Sequence, residues 1–266
     1  HVLSTKPMDA NAEACRRAIM LADETGLLLG VDFDVRQEVE FLELEKAVRE
    51  GWFGRLLSAD STLKIHRDQA YYKANGGWRG TWAGEGGGVL LNQCPHQLDI
   101  YQWLIGMPNR VTAVASLGKY HKVEIEDDLS ALLEYDNGTT GHFIATTGEW
   151  PGSNRFEISG DRGRLLIEGG TLAFDETEVS VAEFCATTTE RFRGPKVNTQ
   201  VIPIEGEGGR HADMVRNLIE AITTGAPLIA PATDSVAQLE LGNAMTLAGI
   251  TRKPVTLPLN GNAYAR

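Results

Sequence analysis

Cysteine is scarce: Cys15, Cys94 and Cys185 are all 3 in the chain, and no C-x-x-C spacing joins any of them. An odd, scattered set argues against a disulfide-stapled scaffold and a structural zinc site, and it fits a reducing, cytoplasmic compartment. Long apolar runs are absent. No stretch approaches the ~20 residues that a membrane span needs, and no signal-peptide pattern opens the sequence, so no membrane partner is expected. Positive charge is outnumbered, with 25 Lys and Arg against 36 Asp and Glu and a formal net charge of -11. No Lys/Arg cluster overrides that balance, which argues against a nucleic-acid partner. Missing too is any G-x-G-x-x-G that follows a buried strand and opens a helix, the signature that seats a dinucleotide pyrophosphate. Gly84-Glu85-Gly86-Gly87-Gly88 is no substitute, because Thr81-Trp82-Ala83 rather than a buried strand precedes it. There is no tandem repeat or low-complexity tail, and Glu205–Gly209 reads as an ordinary loop.

What remains is enough for a sizeable core: 266 residues make one large or two modest domains. His1-Val2-Leu3 reads as the end of a buried strand. A helical pattern from about Asn11 to Thr25 follows, with Ala14, Ala18, Leu21 and Ala22 on one face and Gly26 at its end. A short strand at Leu27–Phe33 and a helix at Val39–Glu50 complete a β-α-β-α order, which describes part of a parallel α/β sheet. After Phe53 the character changes. Arg55–Ile65 predicts a strand, and a polar, aromatic segment with Tyr71, Tyr72, Trp78, Arg79 and Trp82 comes next. Leu129–Tyr135 and Thr139–Thr147 flank Asn137-Gly138, which reads as a hairpin turn rather than a glycosylation site. Strands are also predicted at Arg155–Ser159, Arg164–Glu168, Thr171–Phe174, Glu178–Phe184 and Val197–Ile204, and helices at His211–Thr223 and from Thr233 through Leu247.

The most informative stretch is Gly86-Gly87-Gly88-Val89-Leu90-Leu91-Asn92-Gln93-Cys94-Pro95-His96-Gln97-Leu98-Asp99. Glycines permit close approach of backbone and ligand, and Pro95 suits a first helical turn. The spacing predicts Asn92 and His96 on one face of a helix running to Ile105, with Gly106 at its end. The positive end of the helix dipole then disfavours imidazolium and keeps His96 neutral, the form a general base needs. On this segment alone, an N-capping Asn92 and a satisfied surface His96 stay open as the alternative. Cys94 reads as a small buried hydrophobe, Asp99 as a hydrogen-bonding orienter, and the acidic run Glu124, Glu126, Asp127, Asp128 as a solvated strand edge; no metal site is expected.

These residues resemble the Gfo/Idh/MocA family of oxidoreductases. Its Glu-Lys-Pro after a sheet strand is matched by Thr5-Lys6-Pro7, and its Gly-Gly-x-x-x-Asp/Asn-x-x-x-His-x-x-Asp by Gly87 through Asp99. Trp78-Arg79-Gly80-Thr81-Trp82 is similar to a sugar-oxidising subset, and Lys253-Pro254-Val255-Thr256-Leu257-Pro258 to the closing pattern. The resemblance implies an α/β fold: a partial Rossmann-type parallel sheet followed by an α+β domain with an open, mainly antiparallel sheet. Residues 1–53 are then the C-terminal part of a dinucleotide-binding domain and 54–266 a substrate and oligomerisation domain, with the helix at about 233–248 packing back on the first.

The resemblance further implies NAD or NADP as cofactor and a secondary hydroxyl of a sugar or glycoside, at C3, as the group oxidised. His96 is the implied base, Lys6 orients the hydroxyl, and Asn92 completes the catalytic set. Thr5, Lys6, Pro7, Arg36, Trp78 and Arg79 are implied cofactor contacts. Lys6, Tyr72, Trp82, Asn92 and His96 are implied substrate contacts, with a homodimer or homotetramer formed through the antiparallel sheet. Phe143, Phe156, Ile158 and Leu166 supply either the core or that dimer face.

The departures are specific. The family's first strands lie outside the pattern, so a segment upstream of His1 or a truncated product is expected. Thr5 replaces the usual Glu, while Asp32 and Asp34 stand where Gly and Asn are common, adding negative charge that disfavours an anionic substrate. Two alternatives remain: a redox-neutral NAD-dependent glycosidase acting by oxidation and elimination, and a non-catalytic sensor or scaffold of the same fold.

Overall fold

The structure, a computed structural model, describes residues 1–259. β1 (Val2–Ser4) leads into α1 (Ala12–Thr25), β2 (Leu29–Val31), a 3-10 turn at Asp34–Gln37 and α2 (Val39–Arg49). β1 and β2 pair in parallel, Val2 beside Leu29 and Ser4 beside Val31. Local chemistry bounds α1: Asn11 accepts the Glu13 N–H at its start, and Gly26 adopts a left-handed φ of 66° at its end, where a Cβ would be strained.

β3 (Leu56–His66) begins a second, larger sheet. Four helices follow it: α3 (Gln69–Lys73), α4 (Trp82–Glu85), α5 (Val89–Asn92) and α6 (Pro95–Ile105). Then come β4 (Arg110–Leu117), β5 (Glu126–Glu134), β6 (Thr140–Thr146), β7 (Gly148–Gly160), β8 (Gly163–Glu168) and β9 (Thr171–Thr177). α7 (Val181–Thr187), β10 (Val197–Ile202), α8 (His211–Thr224), α9 (Ala232–Thr251) and β11 (Val255–Thr256) complete the described chain. The nine strands lie in the order β10-β9-β8-β7-β3-β6-β5-β4-β11, antiparallel throughout except where β3 runs parallel to β6. The fold is α/β, a small parallel sheet beside a large, mainly antiparallel one.

Strand periodicity decides which face is covered. Ala113, Leu129, Ala131, Phe143, Ala145, Phe156, Ile158 and Leu165 point inward against Leu98, Ile100 and Tyr101 of α6 and Leu241, Ala244, Met245 and Ala248 of α9, all buried. Phe143, Phe156 and Ile158 thus belong to the core, whereas Leu166 is half-buried. Val114 and Leu132 remain 50% and 37% exposed. Among the described residues no helix is long and apolar enough to cross a membrane.

The structure departs from the sequence reading in three places. The helix expected from Asn92 to Ile105 is broken at Gln93-Cys94, because Pro95 has no N–H for a helical bond and disfavours helical backbone at the residue before it. Asn92 therefore closes α5 while His96 sits in the first turn of α6. The strand expected at Glu178–Phe184 is instead occupied largely by α7: Ser180 accepts the Glu183 N–H, and this S-x-x-E cap outweighs the alternating pattern. Only the ends of the acidic run fit a solvated edge, Glu124 being exposed and Asp128 half-buried. Glu126 and Asp127 are fully buried, and Asp127 accepts the backbone N–H groups of Lys119, Tyr120 and His121.

Candidate active site

The carboxyl ends of β1 and β2 are where an open parallel sheet meets ligands. Thr5-Lys6-Pro7 leaves β1 there and Asp32-Phe33-Asp34 leaves β2, held side by side by the Asp32 N–H to the Ser4 carbonyl at 2.9 Å. Thr5 is exposed, and Lys6 and Pro7 are half-buried. Burial pushes the Lys6 ammonium below its ordinary range, while Asp34 pulls the other way.

α6 delivers His96 to the same place. Its side chain is 19% exposed, meets Phe33 edge to face at 6.3 Å, and places Nε2 3.8 Å from Asp34 Oδ1. Nδ1 is buried with no hydrogen-bond partner. Burial first, then the Lys6 charge, pushes its pKa down to about 4 against the pull of Asp34. Burial and the Lys6 charge, rather than the helix dipole, are what favour the neutral imidazole here. Asp34 Oδ2 lies 3.4 Å from His211 Nδ1, and Asp32 Oδ2 lies 2.7 Å from the same nitrogen. Asp32, Asp34 and His211 have ligand atoms within 4.8 Å of one another, a donor set a divalent cation accepts.

The glycine run is held from below by Glu126, whose carboxylate accepts the Gly88 N–H at 2.9 Å and the Leu90 N–H at 3.4 Å. A Cβ on Gly88 would stand 1.9 Å from the Glu126 carbonyl oxygen, so only glycine fits this approach. Asn92 is committed to neighbours: its amide donates to Glu85, and its oxygen accepts from Gln93 and, at 2.8 Å, from the Tyr71 hydroxyl. Arg79 stacks over Trp78 at 4.5 Å and Tyr71 at 4.9 Å, its Nε buried without a partner. Trp78 is exposed; Trp82 is half-buried as it opens α4. Cys94 is a buried hydrophobe, as expected.

Two implied contacts need correction. Arg36 is 1% exposed and cannot reach a cofactor: its guanidinium donates to both Asp99 oxygens at 2.7 and 2.5 Å, to Asp234 at 2.8 Å and to the Ile229 carbonyl at 3.0 Å. Asp99 is thus the orienter its position predicted. Tyr72 is buried under Tyr71 and His121 with its hydroxyl on Thr147, so it offers no face to a sugar. The sequence reading also missed residues. A cavity of about 200 Å³ opens at His96 and is lined by Glu38, Ser61, Gln93, Gln97 and Asn154 among others. Gln93 and Gln97 flank His96 in the sequence; Glu38 and Asn154 reach it only through the fold.

Residues 41–166 match the GFO/IDH/MocA C-terminal domain. The scyllo-inositol 2-dehydrogenase (NADP(+)) IolW of Bacillus subtilis is 27% identical over 251 residues, 89% of this chain and 66% of its own length. The 1,5-anhydro-D-fructose reductase of Ensifer adhaerens is 25% identical over 167 residues, 62% of this chain and 49% of its own. The solved WlbA dehydrogenase of Chromobactrium violaceum, in complex with NADH and UDP-GlcNAcA, superposes with a TM-score of 0.81 at 26% identity, covering 98% of this chain and 71% of its own. Residues 41–166 carry the GFO/IDH/MocA C-terminal domain, and the chain as a whole is similar to oxidoreductases of that family. It spans roughly half to two thirds of the length of those curated relatives.

Proposed function

We propose that this chain is the catalytic part of an NAD(P)-dependent oxidoreductase that oxidises a secondary hydroxyl, at C3, of a sugar, glycoside or related polyol. The observation that carries the reading is a neutral, largely buried His96 beside Lys6, at the ends of β1 and β2, opening on a cavity lined by polar side chains. The relatives' polyol and sugar chemistry supports the same reading.

The nicotinamide half of a dinucleotide fits the residues present: the orphaned Arg79 Nε offers a donor to its carboxamide, and the exposed Trp78 ring lies beside it. Thr5, Lys6 and Pro7 border the same opening. A nicotinamide held there would supply the hydride acceptor for oxidation of the carbinol carbon. Lys6 donates a hydrogen bond to the substrate hydroxyl and stabilises charge growing on its oxygen; a half-buried ammonium does this more strongly than a solvated one. His96 takes the hydroxyl proton on Nε2, the nitrogen on the Asp34 side. Gln93, Gln97, Asn154 and Glu38 are placed to hold the remaining hydroxyls. Two copies, or four, associate through the outer face of the large sheet.

The test is turnover of scyllo-inositol, myo-inositol and a panel of glycosides with NAD+ and NADP+, followed by reduced-nicotinamide absorbance. His96→Ala should keep the fold, seen by circular dichroism, and lower kcat by about 10²-fold or more. Unchanged turnover in that variant sinks the reading.

A further inference from the structure

His96 must lose the proton it gains before it can act again, yet its ring is largely buried and Nδ1 faces no acceptor. Nε2 is the way out. It faces Asp34 Oδ1 at 3.8 Å, and the other oxygen of that carboxylate faces His211 Nδ1 at 3.4 Å. His211, the first residue of α8, is 76% exposed, with Nδ1 also 2.7 Å from Asp32 Oδ2. A buried base, a carboxylate with one oxygen toward each imidazole, and a solvent-facing imidazole therefore stand in sequence. An amide at position 34 would be unable to carry a proton.

We propose that Asp34 and His211 form a proton path between His96 and solvent, Asp34 as the carrying and positioning carboxylate and His211 as the exit group. The proposal rests on His96 being the base. In the oxidative direction one proton leaves the substrate hydroxyl for His96 Nε2 and passes to Asp34 Oδ1; the protonated carboxyl turns to present it to the Nδ1 lone pair of neutral His211, whose exposed ring then gives up its Nε2 proton to water. Only N–H and O–H bonds form and break, and nothing is oxidised or reduced in these steps. A small turn of the carboxylate, or one bridging water, brings each pair into the transfer range of about 2.6–3.2 Å. Three charged groups act on His96 from the elements around it: Lys6 after β1 and His211 on α8 oppose its protonation, and Asp34 after β2 favours it.

Stopped-flow kinetics in weak buffer separates the two readings by following nicotinamide reduction and, with an indicator dye, proton release. With scyllo-inositol or the best substrate of the panel, His211→Asn should reduce the nicotinamide at a rate within about twofold of the parent. Its proton release should slow about tenfold and be restored by added imidazole. Proton release at the parental rate without imidazole overturns the path. Reduction that persists in His96→Asn overturns the base assignment instead.

A substrate-free measurement covers the remaining ground. In an NMR titration, Asp34→Asn should move the His96 midpoint below that of the parent, and an unmoved midpoint overturns the coupling. Activity lost to EDTA and restored by a divalent cation would assign Asp32, Asp34 and His211 to a metal and overturn the path as well.

Discussion

Burial drives His96 and Glu126 in opposite directions for one reason: each is penalised for carrying charge. The imidazole is held down to about 4, and the Glu126 carboxyl is pushed up to about 7 despite its backbone donors. The sign for Glu126 follows from linkage. Its folded value lies above the ordinary 4.5, so its contribution is fully present below pH 4.5 and is lost as pH rises toward about 7. Glu126→Gln should therefore gain stability relative to the parent across that window, by roughly 3 kcal/mol between its ends, read from urea unfolding at stepped pH. A pH-independent difference would show that Glu126 is already ionised in the fold. At this scale the sequence exposes Lys6 and His96, because strand end and glycine run mark them locally. It hides Glu38, Asn154 and the partnership of Asp34 with His211, because these are brought together only by tertiary packing and carry no shared local pattern.

Among the elements, the best-read ones are those whose boundaries are set by near neighbours. α1 has its Asn11 and Gly26 caps, and the β5–β6 hairpin has its Asn137-Gly138 turn. The misread ones depend on a contest between local rules, as at Pro95 and Ser180. Arg36 shows a third case, a residue whose role is set by distant elements. It ties the turn after β2 to α6 through Asp99 and to α9 through Asp234. Removing it leaves the Asp99 carboxylate, 1% exposed, without its counter-charge. Arg36→Met should cost about 3–5 kcal/mol in chemical denaturation. Where folded, it should bind NADH as the parent does, measured by quenching of tryptophan emission. A selective loss of NADH affinity with stability intact would return Arg36 to the cofactor site.

For the whole molecule, α/β order, the change of character after Phe53 and the antiparallel second half are legible in the sequence because hydrophobic period differs between helix and strand. Strand order is not, since nothing local records which edges meet. Val114 and Leu132 stand exposed on the outer sheet face, and if the proposed association uses that face, Leu132→Glu should shift the sedimenting species toward monomer. A parent that already sediments as a monomer removes that expectation. The place of β3 carries a further consequence. It is wedged between β6 and β7, with Ser58 beside Thr140 and Ala59 beside Ile158. A ribosome therefore makes β3 long before either neighbour exists, and both its edges wait unpaired through the synthesis of the helices, β4 and β5. Assembly of the large sheet is thus a late, non-local and slow event, and the newborn chain is most vulnerable to aggregation in that interval.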